Sequence, residues 1–146
     1  TFKGSWPLYA LGFHHIKPVN FVSFFNAIAN GGKMVSLKSQ DSSAIVVDSM
    51  IAEKKNIESM KKAFRFYVTN GLGKKAESKM VNVAGTSGTI HTDDGIYADF
   101  CGYFPVEKPK YTVFVSYKRP EIPVSGGGMA GQTFRKIAEQ IMKTCK

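Results

Sequence analysis

The chain has 146 residues, 43% of them apolar, which suits one domain built around one core. Its formal charge is +9, from 20 Lys and Arg against 11 Asp and Glu, while its two cysteines, Cys101 and Cys145, are too few for a disulfide framework and lack metal-ligand spacing. No run approaches the roughly eighteen apolar residues of a membrane-spanning helix, and Thr1 does not open a basic-then-apolar leader, so any anchor or signal is expected outside this chain.

The first predicted helix begins at Pro18, a residue suited to a first turn, and runs through VNFVSFFNAIAN to a stop at Asn30-Gly31-Gly32. Its apolar residues, among them Val19, Phe21, Phe24, Phe25 and Ile28, go almost all the way round, which predicts burial on most sides. His14 and His15 precede it. With no third ligand at a suitable spacing they read as loop or packed histidines, and no metal is expected.

KMVSL then reads as a short strand, and the polar segment after it as a connector with a brief apolar run, Ala44 to Val47. A second helix is predicted from an N-cap at Asn56, with Ile57, Met60, Phe64, Tyr67 and Val68 on one stripe and Lys61, Lys62 and Arg65 facing out. It stops at Thr69-Asn70-Gly71.

Three strands follow, Met80 to Ile90, Tyr97 to Phe104 and Tyr111 to Lys118. Their connectors, HTDDG and PVEKPK, are short, so an antiparallel meander is the economical topology. A glycine run, Gly126 to Gly128, leads into a closing helix with Met129, Phe134, Ile137, Ile141 and Met142 on its apolar face. The expected fold class is α+β, an antiparallel three-strand sheet packed by helices.

The charge would suit an anionic partner, but the basic residues are scattered and no nucleic-acid signature accompanies them. Solvated faces account for them, and no nucleic-acid partner is expected. A basic interaction module rests on the charge alone, and its binding would weaken steeply with salt.

The first of the three strands contains the most unusual stretch, VNVAGTSGTIHT, in which Gly85 and Gly88 bracket Thr86 and Ser87 and Thr89 follows. Glycines inside a strand mark a bulge or a place where something approaches the backbone. The stretch is therefore either a bulged edge strand without a ligand or one wall of a cleft, offering N–H groups and hydroxyls to an extended or carboxylate-bearing ligand.

Five segments in order resemble the C-terminal half of the transpeptidase domain of penicillin-binding proteins, most closely the class B type of elongation or division. They are LGFHHIKPVNFVSFFNAIANGGKMV, NIESMKKAFRFYVTNGLGKKA, VAGTSGTI, ADFCGYFPVEKPKYTVFVSYKRP and GGGMAGQTFRKIAEQI, and the similarity runs from about Leu8 to Met142. VAGTSGTI is similar to the family's Val-Ala-Gly-Lys-Thr-Gly-Thr-Ala strand beside the active site. The resemblance implies a substrate-binding role for Thr86, Ser87 and Gly88. The Ser87 hydroxyl would hold a carboxylate of the stem peptide or a β-lactam, and the Thr89 N–H would be a catalytic oxyanion donor.

Two departures accompany it. Thr86 stands where the family has Lys, and the family's Ser-x-x-Lys and Ser-x-Asn motifs lie upstream of everything matched. Ser59 and Lys62 have the Ser-x-x-Lys spacing, but they lie where the family has no catalytic residue. The resemblance thus implies that residues 1–146 are the C-terminal portion of one transpeptidase domain, inert alone and needing no cofactor, with the N-terminal portion as its partner. It also implies a periplasmic or outer-face location. The alternative is a degenerate, non-catalytic domain that binds peptidoglycan or a partner, favoured by Thr86. The outer edge of the last strand, rich in Val, Phe and Tyr, is expected to promote self-association.

Overall fold

The computed structural model describes residues 17–37, 45–119 and 125–145. His14, His15 and residues 38–44 at the start of the polar connector lie outside them. Helix α1 spans Pro18–Ala29 and ends through Asn30 into Gly31, whose φ of 71° is the left-handed conformation that closes a helix. Burial is one-sided rather than all round. Phe25, Ala27, Ile28 and Ala29 are buried, while Val19 and Phe24 remain 50% and 40% exposed.

Strands β1 (Met34–Val35) and β2 (Val46–Asp48) pair antiparallel, so the apolar run expected within a connector makes a small hairpin instead. Helix α2 covers Lys54–Thr69 and starts two residues before the expected cap. Glu53 holds the N-cap position without a side-chain bond, and Asn56 lies in the first turn with its N–H donating to Glu53 O at 2.8 Å.

The main sheet is the expected meander, β3 (Ala84–Thr92), β4 (Gly95–Phe104) and β5 (Tyr111–Arg119), ordered β3-β4-β5 and antiparallel throughout. β3 begins later than expected and runs on through His91 and Thr92, leaving only Asp93 and Asp94 for the turn. A wide π-type turn, Gly126–Ala130, leads into helix α3, Gly131–Thr144.

Strand alternation sends the two faces of the sheet to two apolar clusters. On one face Phe100 and Phe104 meet Phe134 of α3, with ring centroids 4.9 and 5.7 Å apart. Val68, Val83, Val115 and Ala138 belong to the same cluster, and Ile137, Ile141 and Met142 pack at its margin. On the other face Cys101, Tyr103 and Ala84 meet Phe25, Ile28, Ile57 and Phe64. Phe25 and Phe64 stack at 4.7 Å, which joins α1 to α2. β4 lies between the two clusters and is the most deeply buried strand.

β5 is an outer strand, yet its faces are covered. Phe114 touches Phe21 of α1 at 5.9 Å between ring centroids, and Tyr111, Val113 and Tyr117 pack on the α3 side. What it leaves unpaired among the described residues is its backbone edge.

Candidate functional site

β3 is the other outer strand of the sheet, and its burial falls steadily along its length. Ala84 and Gly85 are buried, Thr86, Ser87 and Gly88 half-buried, and Thr89 to Thr92 exposed. The ladder to β4 runs without a shift from Ala84 opposite Tyr103 to Thr92 opposite Gly95. The glycines therefore do not mark a bulge.

They play different parts. A Cβ on Gly85 would strike the Cys101 carbonyl oxygen and come within 2.8 Å of Gly102 Cα, so the packing of β3 on β4 requires that glycine. A Cβ on Gly88 would meet nothing within 4 Å, and its φ is not positive. Among the described residues neither sterics nor backbone conformation explains Gly88.

Thr86 lies opposite Cys101 and Ser87 opposite Phe100, which puts their side chains on opposite faces. Thr86 brings a neutral hydroxyl to the face of the buried Cys101, whose thiol burial pushes far up from its ordinary value. Asp99, opposite Gly88, shares that face. Burial raises its carboxyl pKa, against a hydrogen bond from Ser116 that lowers it.

On the other face Ser87 Oγ lies 2.5 Å from the Tyr67 hydroxyl, and either atom can donate. The Gly126 N–H donates to Thr89 Oγ1 at 3.2 Å, so the glycine turn crosses β3 beside Ser87 and Gly88. A Cβ on Gly126 would strike the Gly88 carbonyl and lie 2.5 Å from Asp99 O and 3.0 Å from Ser87 Cβ. One on Gly127 would strike Leu72 O and approach Ser87 Oγ to 3.4 Å.

The four residues singled out in sequence thus sit side by side on β3, but Tyr67 and the glycine turn were missed as neighbours of Ser87. Tyr67 was placed only in the apolar stripe of α2. The available signal was its hydroxyl, which needs a partner once its ring is packed. Arg65 is also misplaced by the sequence reading. Instead of facing out, it grips Glu77, Val83 O and Asn82. Ser59 is exposed and donates to Lys55 O at 2.8 Å, an ordinary helical back-bond.

Among the described residues no group of three or more His, Cys, Asp or Glu is placed to hold a metal ion. No helix among them is long and apolar enough to cross a membrane.

The fold and this strand define an α+β domain whose glycine-bearing outer strand stands at the edge of an antiparallel sheet. The chain belongs to the penicillin binding protein transpeptidase domain family, whose model it matches over residues 3–143. The transpeptidase domain of the FtsI4 D,D-transpeptidase from Legionella pneumophila is 29% identical, with a TM-score of 0.68, over 87% of this chain and 47% of that one. A peptidoglycan glycosyltransferase from Burkholderia ambifaria shares the fold at 22% identity, with a TM-score of 0.74 over 89% of this chain and 41% of that one. The transpeptidase domain of penicillin-binding protein 3 from Burkholderia pseudomallei does so at 20% identity, with a TM-score of 0.70 over 86% and 41%. The chain spans less than half the length of each of these structures. No curated protein matches it.

Proposed function

We propose that residues 1–146 are the C-terminal portion of a D,D-transpeptidase domain that cross-links peptidoglycan stem peptides and binds β-lactams. In the whole domain a serine outside this chain attacks the D-Ala-D-Ala carbonyl, and the terminal D-Ala leaves. An amine of a neighbouring stem peptide then resolves the ester. β3 supplies the wall along which the substrate lies, with the Ser87 hydroxyl toward its carboxylate, the Gly88 main chain beside it and the Thr89 N–H toward the oxyanion. A donor in that role is worth about 3 kcal/mol of barrier. On this reading the domain works on the periplasmic or outer face of the inner membrane, in division or elongation.

The observation that carries this reading is Gly88, a strand glycine that packing among the described residues does not require and whose side-chain direction is open among them. An extended ligand running along the edge of β3 needs that opening. The test is an NMR titration of the chain with N-acetyl-D-Ala-D-Ala. Perturbation centred on the Gly88 and Thr89 amides, abolished by Gly88→Val, is expected. Shifts elsewhere, or none at millimolar peptide, overturn the reading.

Alone, the chain is expected to take no covalent label from a fluorescent penicillin. The backbone edge of β5, unpaired among the described residues, gives the chain a route to self-association, read as concentration-dependent sedimentation.

A second reading, a non-catalytic binding domain, draws on Thr86 in place of a cation. It predicts the same peptide contacts, but no penicillin acylation when the chain is joined to a segment carrying Ser-x-x-Lys and Ser-x-Asn. The transpeptidase reading predicts that acylation.

A further inference from the structure

Tyr67 and Ser87 come from α2 and β3, twenty residues apart, and their hydroxyl oxygens lie 2.5 Å apart. Both side chains are half-buried, and both are hemmed in by backbone. A Cβ on Gly73 would come within 2.7 Å of the Tyr67 ring, and one on Gly71 within 3.2 Å. The Tyr67 ring is therefore held against bare main chain where the 67–73 segment folds back, fastened by the Gly71 and Gly73 N–H groups donating to Tyr67 O at 3.0 and 3.2 Å. Ser87 is held in turn by Gly126 and Gly127.

Two hydroxyls at this distance share one hydrogen bond, and each order of protons leaves a different group free. If Ser87 donates to Tyr67, its oxygen presents only lone pairs outward. If Tyr67 donates to Ser87, the Ser87 proton is free to point away from the pair, toward a ligand. An anionic oxygen beside Ser87 selects the second order, because it can accept but not donate. The chain Tyr67 to Ser87 to anion then runs in one direction, each bond polarising the next.

We propose that Tyr67 is a positioning residue that makes Ser87 an outward donor and so sets a preference for a ligand carboxylate over a neutral group. This rests on the assignment of β3 as the substrate strand, and it adds a specificity element from a different part of the chain. Thr86 supplies no positive charge beside Ser87, and the Tyr67 hydroxyl orders the neutral donor that faces the carboxylate.

The test compares N-acetyl-D-Ala-D-Ala with its C-terminal amide on four forms of the chain: unaltered, Tyr67→Phe, Ser87→Ala and the double variant. Tyr67→Phe keeps the ring packed against Gly71 and Gly73 and removes only the hydroxyl. Affinity for the free acid is expected to fall about fivefold in Tyr67→Phe, the scale of one hydrogen bond, while affinity for the amide holds. In the Ser87→Ala background, removing the Tyr67 hydroxyl is expected to change neither. An unchanged acid-to-amide ratio in Tyr67→Phe, with binding intact in the unaltered chain, overturns the role of Tyr67 and leaves the substrate strand standing. Equal loss of both ligands shows a structural role only and overturns it too. Absence of binding to the unaltered chain overturns both.

Discussion

Arg65, on α2, donates from Nη1 to the main-chain oxygen of Val83 at 2.8 Å, one residue before β3 begins. The same guanidinium holds both carboxylate oxygens of Glu77 at 2.7 and 2.9 Å and reaches Asn82 Oδ1 at 3.2 Å. One planar fork thus ties α2 to the start of the candidate substrate strand. Asn82 is fixed in turn by its bond to Glu107, beyond β4.

Replacing Arg65 by Ala is expected to cost about 2 kcal/mol, because the Val83 carbonyl and the Glu77 carboxylate lose a charged donor in a half-buried setting. Arg65→Lys recovers only part, since an ammonium cannot fork. Urea denaturation of the three chains checks this.

The two strand glycines are expected to behave oppositely. Gly85→Ala forces a methyl onto the Cys101 carbonyl and Gly102 Cα, a backbone clash expected to destabilise by about 2–3 kcal/mol. Gly88→Ala meets nothing within 4 Å and is expected to leave stability within about 0.5 kcal/mol of the parent. Thermal melts of both variants decide it.

The two thiols are expected to differ sharply toward a disulfide reagent. Cys101 is fully buried and its thiolate is disfavoured by burial, whereas Cys145 is exposed. One thiol reacts promptly in the native chain, and the second only in denaturant. Rapid native modification of both contradicts the burial of β4.

Asp94, in the β3–β4 turn, accepts from Lys118 at 2.6 Å and Thr92 at 2.5 Å, and these bonds hold its pKa down to about 2, from 3.8. A carboxyl held lower when folded than when unfolded favours the folded state wherever it is ionised in both. Its contribution is therefore complete above the unfolded value of 3.8 and is lost as pH falls toward about 2. Acid titration of the Asp94 carboxyl by NMR is expected to show the low midpoint, and Lys118→Met to raise it.

The alternation of apolar residues and the short polar connectors determined the three-strand meander, because period and loop length are local properties. The Asn30-Gly31-Gly32 stop was legible for the same reason, and so was the side-by-side placement of Thr86, Ser87, Gly88 and Thr89. The tertiary structure decided which of those features carry weight. Whether Gly85 or Gly88 is demanded by packing depends on Cys101 and Gly102, which face β3 only once β4 has folded back. Whether Arg65 is solvated depends on Glu77 and Val83, and whether Ser87 stands alone depends on Tyr67. The helical pattern of α2 puts Arg65 and Tyr67 on different sides of the helix, but it holds no record of the strand that approaches them. Propensity and periodicity act within a few residues, whereas a hydrogen bond between residues twenty apart exists only after helix and strand have packed.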